Sequence, residues 1–267
     1  MLASSTPDAL WSAPSLRVLR PAAVDCADLV QGRLLDRCTF SIAAGTRLLV
    51  VGEPDESASV LVRVLAGLTR PRRGRVSIAG LDGPAALRAG RVAHLGPDPG
   101  MPGWMTPREA LGLAADLAGM TGQAAARAIE RVVAHTHIPG DALDQPIRRA
   151  GPAVGQRAGL AAAILGDPEV LLLDEPLRAL DAAERASLLR LPGRRRTVIL
   201  ASRHPASEAG IATHVALLRG GRVAVLARVD ELATHGLPLS LRGIGALADR
   251  GAFDARPATA RPVAAPR

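Results

Sequence analysis

The 267 residues contain no lysine and no tyrosine, and only two tryptophans and two phenylalanines. Every one of the 33 cationic side chains is therefore an arginine. The shortage of aromatic rings argues against a surface that reads single-stranded nucleic acid by base stacking. It also makes the core aliphatic. With 48% hydrophobic residues there is still material for a sizeable core. Cys26 and Cys38 are too few for a disulfide framework and fit a reducing compartment. No apolar run approaches the roughly 18 residues that a membrane span needs. Residues 1–8 lack the basic and apolar regions of a cleavable leader. These absences lead to the expectation of a cytoplasmic protein that reaches a membrane only through something that anchors it.

What is present is a net charge of +8 on a chain rich in arginine, alanine and glycine. Those three residues, without lysine or tyrosine, read as the codon bias of a GC-rich genome. The arginines are spread along the chain, with small clusters at 70–75 and 194–196. A solvated surface accounts for them; contact with an anionic membrane face is the alternative. No nucleic-acid partner is expected.

Residues 1–14 read as a disordered tail, 15–245 as one domain, and 246–267 as a basic tail rich in proline, alanine and arginine. Within the domain the elements alternate. Arg47-Leu-Leu-Val-Val51 reads as a buried strand, and the spacing of Leu61, Val64, Leu65 and Leu68 predicts a helix over 58–68. Strands are expected at 75–78, 91–95, 169–173 and 197–201, and a hairpin at 215–226 around Gly220-Gly221. Thr106-Pro-Arg-Glu109 carries the signature of a capped helix start, for a helix running to about residue 120. Further helices are expected over 121–137, 154–166 and 180–191. Strands alternating with helices imply a mostly parallel sheet. The helix-only stretch at about 98–165 interrupts the alternation and reads as an inserted helical subdomain.

The apolar strand Val170-Leu-Leu-Leu-Asp-Glu175 ends in two carboxylates, at the sheet edge where α/β folds bind ligands. An aspartate there can order magnesium and the next residue can orient a water. Facing it in the sequence is the glycine-led segment Gly52-Glu-Pro-Asp-Glu-Ser-Ala-Ser59, with three acids and no lysine.

With these, the order of Gly52, Leu65-Ala-Gly-Leu68, Pro71 with Gly74-Arg-Val76, Gly166-Asp-Pro168, Asp174-Glu-Pro176, Leu180-Asp181, His204 and Arg219-Gly-Gly-Arg-Val223 resembles the ATP-binding cassette (ABC) transporter ATPases over about residues 16–240. The resemblance implies a P-loop NTPase fold of the RecA-like kind, with an N-terminal antiparallel β subdomain beside the parallel sheet. It implies ATP and Mg as cofactors. It places the phosphate loop at Gly52, Ser57, Ala58, Ser59 and Val60, and further nucleotide contacts at Asp174 and Asp181. Ser59 and Asp174 would be the Mg ligands, and Glu175 and His204 the catalytic pair. It also implies membrane-spanning partner subunits and a head-to-tail dimer with a like or unlike cassette.

The departures bear on each of these. The family's loop, G-x-x-x-x-G-K-S/T, has Ser57 at its second glycine and Ala58 at its lysine. Losing the lysine removes a contact worth about 1.5–3 kcal/mol. At about 8 Å and an effective dielectric of about 20, each loop acid adds about 2 kcal/mol of repulsion per phosphate charge. Pro97 stands where the family has its coupling glutamine. Ala150-Gly-Pro-Ala-Val-Gly-Gln156 replaces the signature L-S-G-G-x-x-Q, and Gln31 stands where adenine would stack on an aromatic. The expectation is a pseudo-ATPase subunit of an export complex, binding little or no ATP and acting by assembly. A working ATPase with an unusual loop is the alternative, and a regulatory or nucleic-acid-associated cassette a more distant one. His135 and His137 have no third ligand in the sequence and read as surface histidines.

Overall fold

The structure, a computed structural model, describes residues 22–191, 196–208 and 210–250. The expected tail at 1–14 and the Arg194–Arg195 part of the second arginine cluster lie outside these residues.

Two sheets carry the fold. Strands β1 (Ala22–Gln31), β2 (Leu35–Ala43), β4 (Arg73–Ile78) and β5 (Leu81–Asp82) form an antiparallel sheet in the order β2-β1-β4-β5. In β2 the alternation of Cys38, Phe40 and Ile42 with the half-exposed Thr39 and Ser41 puts one face inward. Both cysteines are free and buried. Burial pushes the Cys38 thiol up to about 12, so it stays a small apolar group.

The second sheet has the order β10-β9-β3-β8-β7-β6, built from β3 (Arg47–Glu53), β6 (Val92–Leu95), β7 (Val170–Asp174), β8 (Thr197–Ala201), β9 (His214–Arg219) and β10 (Arg222–Arg228). Every pair is parallel except the β9–β10 hairpin. Strands β7 and β8 are buried at every position. One face of the sheet, with Leu49, Leu171, Leu173 and Leu200, packs into one core; the other, with Leu48, Val50, Leu172 and Ile199, packs into a second. Burial on both faces is why these strands read as continuous apolar runs.

Between β6 and β7 run α3 (Pro107–Leu117), α4 (Gly122–Thr136), the short α5 (Ile147–Ala150) and α6 (Pro152–Leu165). At the start of α3, Thr106 Oγ1 accepts from the Glu109 N–H at 3.2 Å, and the Thr106 N–H donates to Glu109 Oε2 at 2.8 Å. Helix α1 (Glu56–Leu65) packs behind β3, and α2 (Gly83–Arg88), α7 (Ala182–Leu188), α8 (Val229–Thr234) and α9 (Leu241–Asp249) complete the described helices.

Several boundaries differ from the sequence expectation. Helix α1 starts two residues early and stops at Leu65, because Ala66 caps it and Gly67 turns left-handed. Helix α7 covers 182–188 rather than 180–191, since Asp181 is its cap. Helix α3 stops at Leu117 rather than about 120, where Gly119 turns left-handed. At the C-terminal side α9 reaches Asp249, four residues into the stretch read as a tail from 246. Ile244 and Leu247 are buried, so packing holds that helix in the domain.

Candidate nucleotide site

Strand β3 delivers Gly52 to the carboxyl edge of the parallel sheet, next to the ends of β7 and β8. Gly52 must be glycine here: a Cβ would lie 2.3 Å from Ser57 Oγ and 2.7 Å from the Pro54 carbonyl oxygen. The Ser57 hydroxyl is thus turned back beneath Gly52. Its side chain is fully buried, and its Oγ finds no hydrogen-bond partner among the described residues. The Ser57 N–H donates to the Pro54 carbonyl at 3.0 Å, and the Glu53–Pro54 peptide is cis. Glu56 and Ser57, loop residues by the sequence reading, belong to the first turn of α1. Ala58 places a buried methyl at the lysine position, and Val60 packs against the second core.

The three loop acids do not act alike. The Glu53 carboxylate is turned onto Arg219, whose Nε donates to Glu53 Oε2 at 2.6 Å, and the same guanidinium reaches Asp249 at 2.6 Å. That corrects the electrostatic expectation: Glu53 is neutralised within the protein, and the negative charge left without a partner among the described residues is that of Asp55 and Glu56, both exposed.

Ser59 and Asp174, the expected metal ligands, are brought together. Ser59 Oγ donates to Asp174 Oδ1 at 2.6 Å. A serine hydroxyl and a carboxylate this close suit a hard divalent cation in place of their mutual hydrogen bond. His94 on β6, which the sequence reading passed over, lies close enough to feel Asp174. Burial pushes its pKa down, with Asp174 opposing. Its Nε2 has no partner among the described residues.

Glu175 adopts a left-handed backbone (φ 44°) immediately after β7. Its Oε1 accepts from the Arg203 N–H at 2.6 Å and from Arg203 Nε at 3.3 Å. His204 follows on an exposed turn, its N–H donating to Ser202 Oγ at 3.1 Å. Asp181 is occupied in capping α7, accepting from the Glu184 N–H at 2.8 Å.

The cavity left among Gly52, Asp55, Ala58, Ser59, Arg203 and Leu241 measures about 10 Å³. That is the room one water needs. Ser57 fills the space beneath Gly52, Leu241 of α9 lines the cavity, and no lysine reaches it.

The remaining sequence positions have structural partners. Gln156 Nε2 donates to the Pro97 carbonyl at 3.2 Å while its Oε1 accepts from the Ala179 N–H at 2.7 Å. It therefore ties α6 to the segments after β6 and β7. Arg157 bridges the Thr136 carbonyl at 2.9 Å and Glu184 at 2.7 Å. Gln31 has a buried Oε1 with no partner among the described residues. His135 Nε2 lies 3.0 Å from the Leu188 carbonyl, and His137 ends α4 with φ 52°. Among the described residues no group of three side chains is arranged to hold a metal. Arg203 and Leu241 carried no motif that would have marked them, and the motif that includes Arg219 gave no sign of its pairing with Glu53.

The sequence profile described as ABC transporter matches residues 35–178, from β2 to just beyond the Asp174-Glu175 pair. The chain belongs to the ABC transporter family. Among curated relatives of this ABC chain, an aliphatic sulfonates import ATP-binding protein of Rhizobium johnstonii is 32% identical over 80% of each chain. A taurine import ATP-binding protein of Mesorhizobium japonicum is 34% identical over 72% of this chain and 73% of its own. Of solved structures, an ATP-binding subunit of an ABC transporter superposes with a TM-score of 0.71 at 21% identity, covering 85% of this chain and 99% of that one. An ATP-binding cassette solved as a dimer with ADP and Pi superposes at 0.68 and 15% identity, covering 77% and 98%. At such identities these two support the fold.

Proposed function

We propose that this chain is the cassette subunit of an ABC transporter that binds ATP·Mg weakly or not at all, and serves its complex by assembly rather than hydrolysis. The observation that carries this reading is the loop itself: the Ser57 hydroxyl is turned back beneath Gly52, and Ala58 puts a buried methyl where the family has its lysine. Electrostatics point the same way. The groups that would meet nucleotide are engaged with one another, Ser59 with Asp174 and Glu175 with Arg203, and the free loop charges are negative. The partners are membrane-spanning subunits and a second cassette, and the site of action is the inner face of the membrane. Among the described residues no helix is long and apolar enough to cross a membrane, so the partners supply the anchoring. The sequence suggested an exporter. The relatives' names, import proteins for sulfonates and taurine, favour an importer.

A second reading, a working ATPase, is favoured by one observation: Ser59, Asp174, Glu175 and His204 are all kept near one sheet edge. Titration calorimetry separates the two readings. The dissociation constant for ATP·Mg is expected to be weaker than about 1 mM, with phosphate release at background. A micromolar constant overturns the first reading and installs the second.

A further inference from the structure

The arginine cluster at 70–75 takes no part in the candidate nucleotide site. Arg70, Arg72, Arg73 and Arg75 are all exposed, and none has an ion-pair or side-chain hydrogen-bond partner among the described residues. Strand β4 presents them. Val76 and Ile78 face inward with their β1 partners Cys26 and Val24, so alternation turns Arg73 and Arg75 outward. The platform is fixed. The Arg72 N–H donates to the Val30 carbonyl at 2.8 Å, and a Cβ on Gly74 would lie 2.4 Å from the Asp28 carbonyl oxygen. Glycine lets β4 lie that close to β1. Arg33, exposed in the turn between β1 and β2, adds a fifth guanidinium at the same end of the sheet. Asp25 and Asp28 lie on the neighbouring β1, yet neither comes within ion-pair distance of any of the five.

We propose that this face rests on an anionic lipid surface, with Leu68 as its apolar foot. Leu68 is 56% exposed and stands two residues before Arg70, on the turn that leaves α1. Its N–H donates to the Arg63 carbonyl at 3.0 Å, which holds the turn in place. Clustered arginines beside an exposed leucine match charged headgroups over an acyl layer. Nucleic acid is the poorer match. Phe40, which is buried, is the one aromatic residue between positions 12 and 103, so the face offers no ring for a base to stack on. None of these residues lines the loop pocket. The inference rests on the proposed function only for bringing the chain to a membrane. Vesicle binding is read without nucleotide or partner subunits, so its failure would leave that function standing.

The test is co-sedimentation of the full chain with vesicles of phosphatidylcholine, alone or carrying about a third phosphatidylglycerol, in about 0.1 M salt. Binding to the anionic vesicles is expected, with little to the neutral ones and a steep fall at about 0.5 M salt. Each arginine at such a surface contributes about fivefold, so the triple change Arg72→Gln, Arg73→Gln and Arg75→Gln should weaken binding about a hundredfold. The matched triple change Arg127→Gln, Arg131→Gln and Arg149→Gln removes the same charge from exposed positions on α4 and α5, and should keep binding within about threefold. Leu68→Ser should weaken it severalfold. All these positions are exposed, and each variant should melt as the unmodified protein does. No binding, equal binding to both vesicle types, an equal loss in the two triple variants, or no loss in Leu68→Ser would overturn the proposal. So would binding of duplex DNA in place of vesicles, lost in the first triple variant, which would assign the face to nucleic acid.

Discussion

At the scale of single residues, Ser57 and Ala58 change what the loop can hold. A glycine at 57 would leave the space beneath Gly52 open, and a lysine at 58 would bring a cation to it. The serine hydroxyl fills the first and the alanine methyl removes the second. Glu175 lines the pocket beside this loop, with Arg203 as its partner. Glu175→Gln preserves an amide oxygen that can accept from the Arg203 N–H, and loses only attraction to a half-exposed guanidinium, a kind of pair worth little. Transport by the assembled complex is therefore expected to be unchanged in this variant, with assembly normal. If reconstituted transport collapses while the subunits still co-purify, Glu175 is catalytic and the pocket opens during turnover.

The residues that form this site were unevenly legible. Ser59 and Asp174 were paired through the family resemblance, which makes both metal ligands; the residues alone placed only Asp174, at the end of a buried strand. The Glu53–Arg219 pair was not legible, since 166 positions separate its members and no motif spans them.

At the scale of elements, the sequence was most reliable where two signals coincided. Thr106-Pro-Arg-Glu109 combined a cap, a first-turn proline and a returning glutamate, and the start of α3 carries both reciprocal bonds. Thr106→Ala removes the acceptor for the Glu109 N–H. It should cost about 1 kcal/mol of stability, read as a lower denaturation midpoint with an unchanged slope. A midpoint equal to that of the unmodified protein would mean that the Glu109 side chain alone holds the helix end. Strands β7 and β8 were legible because burial on both faces leaves Val170–Leu173 and Val198–Ala201 as unbroken apolar runs. The start of α1 was not. Periodicity marks a helix's buried face, and the turn that recruits Glu56 and Ser57 extends it by residues outside that pattern. The antiparallel strands β1 and β2 were expected from the family resemblance, although the alternation around Cys38, Phe40 and Ile42 carries the same information.

At the scale of the whole molecule, exposed apolar side chains are few and unevenly placed. Among the described residues the large ones are Leu68, Leu87, Trp104, Leu113 and Leu117, and three of these five fall within residues 104–117. Leu113 and Leu117 are four positions apart on α3, so they share a face, and Trp104 lies in the segment leading to that helix. Trp104 is 63% exposed, so it does not serve the core of the helical subdomain. Tryptophan is enriched among residues that anchor interfaces, and a subunit working by assembly must present such anchors. Trp104→Ala should then leave the isolated domain's melting temperature nearly unchanged while releasing the chain from its membrane partner. A buried tryptophan would behave otherwise, its loss costing about 3–5 kcal/mol and lowering the melting point clearly. Melting and co-purification measured on the one variant decide the matter. A variant that melts normally and still co-purifies places the membrane subunit on another face.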